Sequence, residues 1–322
     1  MSGSGDMRIS GGVKIAVAIM CLVWGSTWFV VREGLAEMPP LGSAGLRFLL
    51  AFFLMVPIAG LIASREGGAR PPARLVAVMA VGNFAISYGI VYWAEKTLPS
   101  GLAAVLWAVF PLMTAVVAHV YSPESRIVGL QWFGLALGFV GVVLLFLTDV
   151  ESIGGDAVER GLVLLLSPLV SALATAYIKK HGAGVSSALL NRAALFWGAG
   201  LLLIAAVVTE GGVPIPRTSS GIFSVTYLAG MGTVLTFTLY FWVLRRASPV
   251  ALSLIAYVTP AIALLVGAVV GEEKVTPWTI GGLSLVLMGC AFVLRRRNVP
   301  AAASATGDDD RSANAGVRRA TT

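Results

Sequence analysis

Apolar runs near 14–31, 42–63, 74–94, 100–119, 128–147, 161–178, 186–208, 222–243, 249–270 and 276–294 occupy most of this 322-residue chain. A helix needs about 20 apolar residues to cross roughly 30 Å of hydrocarbon. Runs of that length, joined by connections as short as the turn at Leu98–Pro99 and the loop Glu272-Glu273-Lys274, imply an all-α integral membrane protein of ten spans. Composition agrees: 12% of residues are charged, about half the share a water-facing surface normally carries.

The ends differ from the middle. Arg8 and Lys14 before the first run imitate a signal peptide, but the run lacks an A-x-A cleavage pattern and is followed by many like it, so it reads as an uncleaved first span. Residues 1–13 are expected to be a flexible N-terminus, and 298–322 a disordered tail with too little apolar surface to bury.

The formal net charge of +7 would suggest nucleic acid in a soluble protein. Here the basic residues sit between apolar runs and act as orientation signals. With both termini inside, thirteen Lys and Arg near span ends face the cytoplasm (among them Lys14, Arg65, Arg74, Lys179 and Arg245) against five outside: Arg32, Lys96, Arg160, Arg217 and Lys274. Both termini are therefore expected in the cytoplasm, in the plasma membrane, with no nucleic-acid partner. Cys21 and Cys290 lie in apolar runs and provide neither a disulfide framework nor zinc spacing. No metal or other cofactor is expected.

An internal repeat bears on function. Residues 92–111 (YWAEKTLPSGLAAVLWAVFP) align over 241–260 (FWVLRRASPVALSLIAYVTP), pairing Trp93 with Trp242, Lys96 with Arg245 and Pro111 with Pro260. Beyond them Glu124 meets Glu273, Gly134 meets Gly282 and Gly141 meets Gly289; more weakly, Ser43–Leu46 meets Ser187–Leu190 and Phe52 meets Phe196. Five spans per copy is an odd number, which inverts the second copy in the bilayer. Inverted repeats recur in secondary transporters because exchanging the conformations of two halves exchanges inward- and outward-facing states. The expected organisation is a first repeat at 14–147, an outer linker at 148–160 and a second repeat at 161–297.

The motifs LVWGSTWFVVR (22–32), LRFLLA (46–51), GLAAVLWAVFPLMTAV (101–116), its echo ALSLIAYVTPAIALLVG (251–267), and the acidic turns SPES (122–125) and GEEK (271–274) occur in an order and spacing that resemble the EamA branch of the drug/metabolite transporter superfamily. One departure is Pro123-Glu124-Ser125, where the family usually shows a Gly-Glu pair such as Gly271-Glu272. The resemblance implies ten helices, a cavity lined by both halves, and outward movement of small metabolites, often amino acids.

Arg47 is the sharpest site candidate. A mid-membrane arginine costs about 2.5–3.5 kcal/mol on insertion scales and normally meets water, a partner or an anion. Its guanidinium is able to hold a carboxylate by two parallel bonds, or equally to snorkel to the outer interface. Asn191 and Arg192 are its approximate counterparts, with Arg192 read as snorkelling. Trp24, Thr27 and Trp28 share a helix face. Trp28, Tyr92, Trp93 and Trp242 near span ends read as an interfacial belt, whereas Trp24, Tyr88, Trp107 and Tyr257 lie deep enough to wall a cavity. Asn83 and Ser87, the stripe Ser167, Ser171, Thr175, and the pair Ser253, Tyr257 each share a face; the serines read as interhelical hydrogen bonding, and Asn83 also as a cavity residue. Pro111 and Pro260 are kinks or gates. Gly134-x-x-x-Gly138 permits close helix contact.

No phosphate-binding loop occurs, so ATP is not the expected energy source. All sixteen acids read as loop, end or tail residues, and His119 at a helix end is the lone histidine within a span. Facilitated, gradient-driven efflux of amino acids or related amphipathic metabolites is the leading expectation, with proton coupling open. A carrier of lipids or drugs is the alternative, as is a receptor or scaffold. An intramembrane enzyme is disfavoured because His119 and His181 offer neither a Ser–His pair nor an H-E-x-x-H motif. The expected partners are a small-molecule substrate and the bilayer, and a homo-oligomer is compatible with the sequence.

Overall fold

The computed structural model describes residues 11–66, 68–121, 127, 129–150, 153–244 and 249–294. Expectations resting on the first ten residues, the turn around Glu124, Arg245, Arg246 and the tail from 295 fall outside them, as do those on the Ser253 side chain.

Among the described residues ten helices appear in order: α1 (Gly11–Leu35), α2 (Pro40–Glu66), α3 (Ala73–Glu95), α4 (Ser100–Tyr121), α5 (Leu130–Asp149), α6 (Ala157–His181), α7 (Ser187–Thr209), α8 (Ser219–Tyr240), α9 (Pro249–Val269) and α10 (Pro277–Leu294). Nine are long and apolar enough among the described residues to cross a membrane, and the 21-residue α9 makes the tenth. α1–α4 and α6 run longer than the apolar runs predicted, whereas α5 and α7–α10 match them in length to within a residue. Residues 11–13, expected to be flexible, already belong to α1, and the expected linker 148–160 is shortened from both sides by α5 and α6. Hydropathy marks where lipid begins; the helical ladder continues past it until capped. Leu61, Phe139, Ile204 and Leu265, each more than 60% exposed, face outward, which a bilayer accommodates and water does not.

The two halves meet as an inverted pair. α5 packs along α10, and there a Cβ on Gly134 would lie 2.7 Å from the Gly289 carbonyl oxygen, while one on Gly141 would lie 2.8 Å from that of Gly282. The repeat aligns Gly134 with Gly282 and Gly141 with Gly289, so the contacts cross over. Reciprocal crossing is the signature of a twofold relation. At the α2–α7 seam the aligned residues Phe52 and Phe196 touch each other, with ring centroids 5.1 Å apart.

Wide π turns run through Met79–Ser87 of α3 and Gly230–Leu235 of α8. The repeat offset of 149 places residues 79–87 over 228–236, so both third helices are widened at the same place. The two aligned prolines behave differently. α4 opens into a turn at Ala108–Val109, ahead of Pro111, whereas Pro260 lies inside an unbroken α9. Proline removes a donor and crowds the carbonyl four residues back; the helix is interrupted in the first half alone.

The face carrying the α1–α2, α3–α4, α7–α8 and α9–α10 connections, here termed the distal face, is tied across the halves by carboxylates. Glu210 accepts from the Leu41 and Gly42 N–H groups at the start of α2, at 2.8 and 2.9 Å. Glu273 accepts from Ser100 N and Oγ, both at 2.8 Å, and from Gly101 N at 2.9 Å at the start of α4, and pairs with Arg32. Glu37 accepts from Arg217 N at 2.6 Å and Thr218 N at 3.1 Å at the start of α8. Each carboxylate satisfies orphan N–H groups at the positive end of a helix from the opposite half. The Thr218 hydroxyl and the Arg217 N–H hold the Glu37 carboxyl below the usual carboxylate range. On the opposite face, Ala69 N donates to Gly184 O at 2.8 Å and Ser186 N to Ala69 O at 3.0 Å.

Candidate functional site

Arg47 lies two turns into α2, is 3% exposed, and does not snorkel. Its Nε donates to Thr233 Oγ1 at 3.2 Å and Nη1 to the Tyr92 hydroxyl at 3.3 Å. The guanidinium lies 5.0 Å from the Tyr88 ring centroid and 5.3 Å from that of Phe48, distances at which the ring quadrupole attracts a cation. Among the described residues no carboxylate pairs with it. Tyr92, read from sequence as part of the interfacial belt, is fully buried instead. The buried cation recruits its hydroxyl, which hydropathy could not reveal.

The π turn of α8 shapes the far wall. Its widened backbone lets the Thr233 hydroxyl donate to the Leu228 carbonyl at 2.8 Å, leaving an oxygen lone pair for Arg47. A Cβ on Gly232 would meet the Thr27 methyl at 2.9 Å and Arg47 Nη2 at 3.5 Å, so glycine keeps this wall close to the cation. Trp24 Nε1 donates to the Gly232 carbonyl at 3.3 Å. Trp24, Thr27, Arg47 and Tyr88 are thereby brought together with Tyr92, Gly232 and Thr233, which the sequence reading missed as site residues. The available signal was the small, polar run Gly230-Met231-Gly232-Thr233 inside a span. An aromatic chain encloses the site: Trp24 against Phe237, Phe237 against Phe84, Phe84 against Phe48, and Phe48 against Tyr88 at 4.8 Å. It draws on α1, α2 and α3 of one half and α8 of the other.

The remaining candidates lie elsewhere. Trp107 donates through Nε1 to Ser167 Oγ at 3.1 Å and stacks on Phe110. Ser167 and Ser171 bond Ser87 Oγ at 2.8 and 2.9 Å, so the two serine stripes join α3 to α6. Asn83 is half-buried in the π turn of α3, and Tyr257 is half-buried against the main core. Asn191 is fully buried, with neither amide atom hydrogen-bonded, and no bond joins it to Arg47. Trp28 packs at a tilt against Trp107, and Trp93 lies beneath the Arg160 guanidinium at 4.4 Å. His119 Nδ1 accepts from Ile127 N at 3.0 Å.

Two acids assigned to the outer loops are buried at helix ends instead, Asp149 in α5 and Glu95 in α3. Glu95 is the last residue of α3, is 1% exposed, and neither carboxylate oxygen has a hydrogen-bond partner. Tyr88, Tyr92 and Glu95 follow i, i+4, i+7 spacing and share one face of α3. A run ending in Ala94-Glu95-Lys96 reads as polar punctuation, and only the packing of neighbouring helices turns the carboxylate inward.

The sequence profile described as the EamA-like transporter family matches residues 13–147 and again residues 161–295. The chain is 30% identical over 288 residues to the uncharacterized inner membrane transporter YedA of Escherichia coli (strain K12), covering 87% of this chain and 89% of that protein. It is 27% identical over 291 residues to the uncharacterized transporter YvbV of Bacillus subtilis (strain 168), covering 90% and 94%. A Salmonella typhimurium protein named as a probable amino-acid metabolite efflux pump is 29% identical over 287 residues, covering 84% and 91%. A crystal structure of another protein superposes with a TM-score of 0.62 at 16% identity, over 88% of this chain and 96% of that one, and so shares the fold. The match of this profile to both halves, with the similarity to YedA, places this chain in the EamA-like transporter family, as a multi-pass inner membrane transporter of small molecules and not an enzyme.

Proposed function

We propose that the protein exports amino acids or related amphipathic metabolites that carry a carboxylate, by alternating access between its inverted halves, with both termini in the cytoplasm. The observation that carries this reading is Arg47, a buried guanidinium with two neutral hydroxyl partners and no paired carboxylate among the described residues. Guanidinium holds carboxylate by two parallel charge-assisted bonds, and the surrounding aromatic rings offer an apolar surface to the rest of the solute. Arg47 and Tyr92 come from the first half and Thr233 from the second, so relative movement of the halves opens and closes the contact.

The outward direction is supported by the printed name of the Salmonella relative, and the orientation of the termini by the excess of Lys and Arg on one side. The test is untargeted metabolite profiling of medium from bacteria expressing the protein, beside Arg47→Ala at equal membrane levels and an empty vector. Accumulation of a few amino acids with the parent alone is the expected result. Media indistinguishable from the empty vector would remove the efflux reading.

A further inference from the structure

A carboxylic acid at the end of a helix ordinarily turns toward water. Glu95 turns inward, with both oxygens shut off and unpartnered. α1, α2, α4 and α6 pack against this last part of α3. Arg32 faces the acid from α1, Arg47 from α2, and Glu273 from the connection between α9 and α10. Tyr88 and Tyr92 lie on its own face of α3, and Lys96 follows it, exposed. At the start of α6, Arg160 is paired with Asp156 and donates to the Trp93 carbonyl. α4 presents no charge there; its Ser100 donates to Glu273.

No cation bonds Glu95. Arg32 pairs with Glu273, and Arg47 bonds Thr233 and Tyr92. An ionised carboxylate sealed from water without a donor is strongly disfavoured against the neutral acid. The closed arrangement therefore holds Glu95 as a neutral acid. The Glu273 latch holds the α4 N-terminus, five residues beyond Glu95.

We propose that Glu95 is a proton-binding site linked to closure of the distal face: one proton is bound when the face closes and released when water re-enters. Release breaks the acid O–H bond and passes the proton to water, leaving the electron pair on the carboxylate. No other reactant is needed. The residue aligned with Glu95 at the repeat offset is Leu244, so the second half lacks an equivalent acid. Tyr92, one turn below Glu95, holds Arg47, and through it proton occupancy reaches the cation site. The inference rests on the transporter assignment, not on the identity of the solute.

The test uses the full chain in lipid nanodiscs, without solute, spin-labelled at Ala36→Cys and Lys274→Cys on the distal face. In the open state Glu95 meets water and ionises as an ordinary carboxylic acid does. As pH rises beyond that ionisation, the ratio of separated to close label populations should rise by up to tenfold per pH unit, the slope for one linked proton. Glu95→Gln should flatten this response. A flat response in the parent, or an unchanged slope in Glu95→Gln, overturns the proposal. Should Glu95→Gln fail to fold, infrared spectroscopy of the parent decides: a protonated-carboxyl absorption at neutral pH is expected, and its absence overturns the proposal. Neither measurement contains a solute, so failure here leaves the efflux reading standing, and failure of metabolite profiling leaves this one.

Discussion

The Arg47 guanidinium donates to the Tyr92 hydroxyl at 3.3 Å, joining α2 to α3 beside a chain of aromatic side chains. This contact turns a costly charge in a membrane helix into a fixed donor array. Its other arm, to Thr233, reaches into the opposite half.

Arg47→Ala removes the proposed carboxylate contact. A hydrogen bond to a charged group is worth about 1.5–3 kcal/mol, or roughly ten- to 150-fold in affinity. Export should fall by at least tenfold at equal membrane levels, as read by metabolite profiling. Tyr92→Phe keeps the ring and removes the acceptor, and a smaller, several-fold loss is expected in the same assay. Equal export by parent and both variants would take Arg47 out of the site.

Gly289→Leu tests the crossing of the halves. A Cβ there already lies 2.5 Å from the Gly134 carbonyl oxygen. Overpacking of this kind costs about 1–3 kcal/mol. The variant should melt earlier in detergent and accumulate less in the membrane, whereas Gly200→Leu, where a Cβ meets nothing within 4 Å, should behave like the parent.

Ser167→Ala separates scaffold from site. Ser167 bonds Ser87 and receives the Trp107 N–H, but interhelical hydrogen bonds in membranes average under about 1 kcal/mol. A small loss of thermal stability with near-parent export is expected. Abolished export at normal membrane levels would mean these groups touch solute.

The Glu37 latch gives a pH response of opposite sign to that of Glu95. Its carboxyl is held below the ordinary range by Thr218 and Arg217. The latch is therefore complete above the unfolded value of about 4.3 and lost as pH falls through the lower folded value. Protection of the Arg217 and Thr218 amides from hydrogen exchange, relative to a free chain at the same pH, should fall only in acid, below the ordinary carboxylate range. Glu37→Gln should abolish that step and leave the slope attributed to Glu95 intact.

How much was legible in the sequence follows from these residues. Helix count, the two halves and their inversion were readable because bilayer thickness sets a length, and an odd number of crossings sets an orientation. Arg47 stood out because a charge in an apolar run is costly anywhere along it. The serine stripes were read correctly as helix contacts, since helical spacing puts them on one face.

Tyr92 and Glu95 were misplaced for a common reason. Both lie near a helix end, where composition suggests an interface, and burial there depends on which neighbours close over them. Thr233 entered the site through the π turn of α8, which changes which side chains share a face, and the helical period assumes an unwidened helix. The glycines of α5 and α10 were legible as a packing signal, but their crossed partners were not. The sequence alone determined the number of spans, the duplication and the presence of a cation within a span, because each follows from local hydropathy or from alignment of the chain with itself. Tertiary structure decided which groups meet that cation and which acid is sealed from water, because both depend on contacts between residues as far apart as Arg47 and Thr233, or Glu95 and Glu273, that no local pattern encodes.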